Sequence, residues 1–267
     1  MIGQTKVWEK ICKLIDNRHF PSFIILLAPR GYGKKTLAKN IAIKLQATYA
    51  TCGAKVDEIR EVIDTANKVR DRVFYCIEDG DSMSLMAKNA MLKITEEPPE
   101  NAYFCLCITD EKYLLATIKS RGTVFNLDGY STKELEMYYD GFDRKNLDSK
   151  TISTIAKCPG DINLLNEYGK EFIDYVNLVI DNISEVEPAN AFKSSSKLAL
   201  KGEEGYDLCL FFSTFCLLCL DRMKSDPLRY SQGILATSKF VPKAMQSGVN
   251  KQQLYDMWVF SIRGVWL

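Results

Sequence analysis

Histidine is almost missing from this 267-residue chain: only His19 is present. It falls at a helix-to-strand junction, a setting for a surface or capping residue more than for a catalyst. Charge of one sign is missing as well, since 35 Lys and Arg against 34 Asp and Glu leave a net charge of +1. Any surface for nucleic acid or membrane must therefore be local. Long apolar runs are also absent. The longest, Leu208 to Leu220, contains Ser213 and Thr214 and falls short of the ~20 residues that span a bilayer. Met1 to Lys10 is polar and has no apolar signal-peptide core. The cysteines number nine, an odd count, and Cys105, Cys107, Cys209, Cys216 and Cys219 lie inside apolar runs. That pattern predicts reduced thiols packed as small hydrophobes in a cytosolic protein.

What is present centres on residues 23–38, Phe-Ile-Ile-Leu-Leu-Ala-Pro-Arg-Gly-Tyr-Gly-Lys-Lys-Thr-Leu-Ala. A buried strand, a Gly-rich turn and a helix start in that order make a phosphate loop, where backbone N–H groups and a helix N-terminus cradle anionic oxygens. The nucleotide-binding residues predicted are Pro29, Arg30, Gly31, Tyr32, Gly33, Lys34, Lys35 and Thr36. The loop departs from G-x-x-x-x-G-K-[ST] twice: Ala28 holds the first glycine position and Lys35 the hydroxyl position that faces magnesium.

Around this loop the chain alternates between helix and strand patterns. Residues 4–17 read as an amphipathic helix, 23–27 as a strand, and the stretch from Lys35 as the next helix. Residues 55–64 give a helix and 73–77 a strand that ends in Glu78-Asp79-Gly80-Asp81. A strand running into carboxylates downstream of a phosphate loop suits a magnesium and water-activating site; it reads equally as a strand end with a solvated acidic turn. Residues 85–97 form a helix stopped by Pro98-Pro99, 102–109 a strand ending in Thr109, 114–119 a short helix and 123–127 a strand. Such alternation predicts a parallel α/β sheet with ligands at the carboxyl ends of its strands, where Thr36, Glu78, Asp79 and Thr109 all fall. Beyond residue 128 no comparable strand pattern follows and the periodic segments read as helices, beginning with a capping box at Ser131-x-x-Glu134. Residues 201–205 and 226–248 read as looser connections, and 188–200 as a helix.

Several segments together resemble one family. Gly3-Gln4, the loop 29–35, Val56-Asp-Glu-Ile-Arg60, Asn89-Ala-Met-Leu-Lys-Ile-Thr-Glu-Glu-Pro-Pro-Glu-Asn101 and Leu114-Leu-Ala-Thr-Ile-Lys-Ser-Arg121 are similar to the AAA+ ATPase subunits of DNA polymerase clamp loaders, the bacterial δ′ type above all. The likeness is strong over 3–127 and weaker beyond. It implies an α/β fold: an AAA+ P-loop parallel-sheet domain at 1–128, a helical lid at 129–183 and an all-α collar at 184–267.

By position, the resemblance assigns Glu78 to the magnesium carboxylate and Asp79 to the catalytic one, Glu-Asp where active members carry Asp-Glu. Thr109 falls at the γ-phosphate sensor, and Arg121 becomes a finger acting on a neighbour's ATP. Asn163 stands where active members place a second sensing arginine. Binding of ATP or ADP is implied, with Mg²⁺ only if the degenerate site holds nucleotide and own hydrolysis weak or absent. The implied partners are other clamp-loader subunits, a sliding clamp and primer–template DNA, with no membrane. Relatives often carry a four-cysteine zinc module after the loop helix; here only Cys52 falls there, so no zinc is expected.

The implied role is a δ′-like stator, catalytically spent at its own site and completing a partner's. Two readings stand against it: an active motor ATPase using Thr36, and a P-loop adaptor with no DNA role. Lys88, Lys93 and Lys119 are candidates for a DNA backbone contact or simply a solvated face. Tyr138-Tyr139 and Phe211-Phe212 read as core rather than as stacking platforms.

Overall fold

The computed structural model describes residues 2–142, 147, 149–183, 205–245 and 249–266. Two compact units emerge, Met1–Ser131 and Thr132–Leu267.

The first unit runs α1 (Thr5–Asp16), β1 (Phe23–Leu27), α2 (Lys34–Lys44), β2 (Thr48–Cys52), α3 (Val56–Ala66), β3 (Val73–Ile77), α4 (Leu85–Glu96), β4 (Ala102–Ile108), α5 (Ala116–Lys119) and β5 (Thr123–Asn126). All strand pairings are parallel, in the order β2-β3-β4-β1-β5. The apolar runs are continuous because both faces of the sheet are covered. Phe23, Ile25, Tyr75, Ile77, Phe104 and Leu106 face one way and pack with Ile59, Met91 and Ile94 of α3 and α4. Their alternates Ile24, Leu26, Phe74, Cys76, Cys105 and Cys107 face the other way, with Ile11, Leu37 and Ile41 of α1 and α2.

The predicted α/β class is thus observed. The sequence reading missed β2. That strand lies at the sheet edge, two of its five residues are exposed, and so it lacks the apolar run that marked the other strands. Gly3-Gln4 has a structural reason: Gly3 has φ 77°, and a Cβ there would sit 2.1 Å from Tyr130 Cε1. Gln4 is buried; its Nε2 donates to the Asp128 carbonyl at 2.8 Å and its Oε1 accepts from the Asp128 N–H at 3.0 Å.

The second unit is helical: α6 (Thr132–Tyr139), α7 (Ser149–Ile155), α8 (Pro159–Asn182), α9 (Leu208–Arg222), α10 (Pro227–Ser238), α11 (Val241–Ala244) and α12 (Lys251–Trp266). Gly169, at φ 64° and ψ −160°, kinks α8 into two helical stretches. Residues 226–248, read as a loose connection, hold α10 and α11. Pro227 and Pro242 stand in the first turns of these helices, where proline fits. The predicted helix 188–200 lies outside the described residues. Phe211 and Phe212 are fully buried around Trp258, whose indole donates to Thr237 Oγ1 at 2.9 Å. Tyr139 is also fully buried, donating to the Leu147 carbonyl at 2.9 Å.

Candidate functional site

The order β3-β4-β1 places three chain crossings side by side at the carboxyl edge of the sheet: the acidic turn after β3, Thr109 after β4 and the phosphate loop after β1. Ala28 is tolerated at the loop's first position because it only extends the ladder, its N–H donating to the Ile108 carbonyl at 3.1 Å. The left-handed turns fall later, at Gly31 (φ 82°) and Gly33 (φ 81°), where glycine carries no Cβ penalty. Gly33 caps α2 without a side-chain hydrogen bond, and the first turn of α2 has no acidic residue. Lys34 and Lys35 instead bring two cations to the positive end of the helix dipole, an arrangement that favours an anion there. Lys34 Nζ donates to the carbonyls of Ala28 and of Pro29, the latter at 2.9 Å. Tyr32 meets Tyr130 edge-on at 5.8 Å, and the Tyr130 hydroxyl donates to the Tyr32 carbonyl at 3.0 Å, bracing the loop. Pro29 and Arg30 are exposed at its outer rim.

Lys35 decides the character of the site. Its Nζ lies 2.6 Å from Glu78 Oε2, and Tyr49 of β2 donates to Glu78 Oε1 at 3.0 Å. Partial burial raises the Glu78 carboxyl, but the hydrogen bonds from Lys35 and Tyr49 and the charges of Lys35 and Lys39 outweigh it, holding the group below its ordinary value. Burial, then Cys76 and Glu78, hold the Tyr49 phenol above its own. Both Glu78 oxygens therefore have donors, one of them a full cation. A Mg²⁺ ion needs near-octahedral oxygen ligands at 2.0–2.1 Å. The Lys35 position supplies an ammonium where a hydroxyl would be a ligand. At ~4 Å that ammonium repels a dication by ~2 kcal/mol even with bulk-water screening. The residues present fit nucleotide phosphate and do not fit its magnesium. Thr36 is exposed, one helix step of ~100° further on.

The other predicted residues are placed as follows. Asp79 is exposed and opens the single helical turn Gly80–Ser82, its carbonyl accepting from Ser82 Oγ at 2.9 Å. The Thr109 N–H donates to Asp81 Oδ1 at 2.9 Å, tying the ends of β3 and β4 together. Gly80 permits this close approach, since a Cβ there would meet Leu106 Cδ1 at 2.6 Å and the Cys107 carbonyl at 2.8 Å. Arg121 stands apart from all of them. It precedes β5, and Ile24 pairs with Thr123, so it lies at the amino edge of the sheet while the loop lies at the carboxyl edge. At ~3.3 Å per residue, the five residues of β1 separate the two edges by ~13–17 Å. Arg121 donates to Glu96 Oε1 at 2.5 Å and to the Thr117 carbonyl at 2.7 Å, joining the Ser-Arg motif to the Glu-Glu-Pro-Pro motif. Lys88 donates to the Tyr113 carbonyl at 2.6 Å, and Lys119 pairs with Glu111 at 3.0 Å. Asn163 accepts from the Tyr138 hydroxyl at 3.2 Å within the second unit.

Two contributors escaped the sequence reading. Tyr49 sits on the unrecognised strand β2, where Thr-Tyr-Ala-Thr carries a modest β-propensity signal; Tyr130 lies just past β5 with no signal of its own. Cys105 and Cys107 share a buried face as strand alternation predicted, and Cys76 joins them, the three Sγ atoms lying within 4.8 Å of one another.

Comparison with known proteins agrees with the motif reading. Residues 10–131 match the family described as DNA polymerase III, delta subunit. DNA polymerase III subunit gamma of Buchnera aphidicola subsp. Schizaphis graminum is 32% identical over 191 residues, 58% of this chain and 52% of that protein. DNA polymerase III subunit delta' of Buchnera aphidicola subsp. Baizongia pistaciae is 27% identical over 177 residues, 61% and 48% of the two. The chain thus spans about half the length of these curated relatives. A solved DNA polymerase III gamma subunit-related protein from Thermotoga maritima superposes with a TM-score of 0.53 at 17% identity, covering 97% of this chain and 99% of that one, a likeness of fold. Residues 10–131 are accordingly similar to DNA polymerase III delta, gamma and delta' subunits, and the chain shares the fold of the solved gamma subunit-related protein.

Proposed function

We propose that this chain acts in DNA replication as a clamp-loader subunit of the δ′ type, a stator that completes a neighbouring subunit's ATP site while doing little hydrolysis at its own. The observation that carries the reading is the placement of Arg121, on the sheet edge opposite the chain's own phosphate loop and held there by Glu96. That edge lies ~13–17 Å from its own loop, a separation that supports action on a neighbour's nucleotide rather than on its own. Its own loop, meanwhile, has Lys35 paired with Glu78 where an active site would order magnesium. Lost charge-positioning at that place costs orders of magnitude in rate.

In this reading residues 129–183 serve as the lid and 184–267 as the collar that assembles with other loader subunits. The loop takes ATP or ADP, and the assembly engages a sliding clamp and primer–template DNA in the cytoplasm. No helix among the described residues is long and apolar enough to cross a membrane. Glu78, Asp79 and Thr109 are then a vestigial catalytic set.

The test is the ATPase of the reconstituted assembly with Arg121→Ala. Because a trans arginine finger is worth about 10³–10⁵ in rate, turnover attributable to the one completed site should be abolished while assembly persists. Undiminished turnover in an intact assembly removes the trans-finger role. Turnover by the isolated chain that Lys34→Ala abolishes removes the stator role.

A further inference from the structure

The disagreement between this loop and magnesium carries a prediction about how the site binds. Glu78 has a cation fixed on it, and that cation is supplied by the loop: Lys35 Nζ sits 2.6 Å from Oε2. Tyr49 takes Oε1 at 3.0 Å, so the carboxylate is committed on both oxygens and stays ionised. Lys35 is the second residue of α2, directly after Lys34, so its charge is carried on the helix turn whose N-terminus forms the anion cradle. Partial exposure of the Lys35 side chain, 61%, leaves its remaining N–H donors open to a ligand. A phosphate oxygen at the loop would meet a positive centre already anchored to the carboxylate, the electrostatic relation that a magnesium ion provides elsewhere.

We propose that the Lys35 ammonium, held by Glu78, is a tethered substitute for the divalent cation, so that this loop takes up nucleoside di- or triphosphate without Mg²⁺. The inference rests on the proposed occupancy of the loop by nucleotide and is independent of the role of Arg121. A single fixed charge neutralises less than a dication and cannot rearrange its ligands as phosphate charge shifts. The site therefore holds nucleotide without being equipped to turn it over.

The test is calorimetric titration of the full chain with ADP, once with excess Mg²⁺ and once with EDTA, on wild type, Lys35→Thr and Glu78→Gln. Wild type should bind no more tightly with Mg²⁺ than with EDTA, because excess Mg²⁺ ties up ADP in a complex that the Lys35 ammonium repels. Lys35→Thr, which restores a hydroxyl and removes the charge, should lose affinity in EDTA and regain tenfold or more on adding Mg²⁺. Glu78→Gln, which releases the ammonium but keeps it, should likewise gain no affinity from Mg²⁺. Thermal melts of each variant confirm that it is folded. Tenfold or greater strengthening of wild-type binding by Mg²⁺ overturns the proposal. Absence of ADP binding under both conditions also overturns it, and leaves the stator reading to its own Arg121 test.

Discussion

Replacing Gln4 by Ala should loosen the whole first unit, although Gln4 touches none of the predicted site residues. Its side chain is buried, 2% exposed, and makes two hydrogen bonds to the backbone of Asp128, at 2.8 and 3.0 Å. Truncation strands one N–H and one carbonyl, each worth ~1–3 kcal/mol when left unpaired. Asp128 itself is exposed, so water reaches its backbone and the lower end applies, ~1 kcal/mol for each group. The lost packing of the side-chain stem adds up to ~1 kcal/mol. The sum, ~2–3 kcal/mol, corresponds to roughly 30- to 150-fold faster amide exchange where opening of the first unit governs exchange. Exchange should accelerate in α1 and β5, while α9 in the second unit keeps its protection. Gln4→Glu preserves the volume but turns the donor into an acceptor facing the Asp128 carbonyl, and should cost at least as much. Hydrogen-exchange mass spectrometry reads both. Exchange in α1 and β5 within twofold of wild type for Gln4→Ala would refute the argument that this amide clamps the start of the chain to the strand end beside the loop.

Gly80→Ala should destabilise by ~1–3 kcal/mol, since its Cβ meets Leu106 and a backbone carbonyl that cannot swing away; a thermal melt near wild type would contradict that close approach. Lys35→Met tests the pH sign. Because Glu78 is held below its ordinary value, the pair's contribution is present above pH 4.5 and lost as pH falls through the folded value. The melting difference between variant and wild type, small because Lys35 is exposed, at ~0.2–1 kcal/mol, should shrink toward zero in acid; a gap that persists there rejects the pair as its source. Glu96→Gln should leave stability within ~1 kcal/mol, because both partners are surface-exposed, yet lower the ATPase of the assembly by freeing Arg121; unchanged turnover separates Glu96 from finger positioning. Burial raises the Cys105 thiol well above its ordinary value, so Cys105 should resist thiol reagents in the native chain while half-buried Cys12 reacts. Rapid native labelling of Cys105, read by mass spectrometry, would refute the packing around it.

Much of the fold was legible because its signals are local. Runs such as Phe23–Leu27 and Val73–Ile77 are apolar on both faces, and only strands buried on both sides afford that pattern. The phosphate loop announced itself through glycines that the backbone needs at positive φ, Gly31 and Gly33. Edge strand β2 and helices α10 and α11 were not legible. An edge strand exposes alternate residues, and proline inside a first helical turn reads as a breaker until the helix after it is seen.

By itself the sequence determined the parallel α/β sheet, the position of the phosphate loop and the residue types at each crossing, because backbone conformation and burial pattern act on neighbouring residues. Only the tertiary structure decided what those residues do to one another. It paired Lys35 with Glu78 across more than forty positions of chain, brought Tyr49 in from an unrecognised strand, and put Arg121 on the far edge of the sheet against Glu96. Parallel strand order fixes such meetings, and no local propensity encodes strand order.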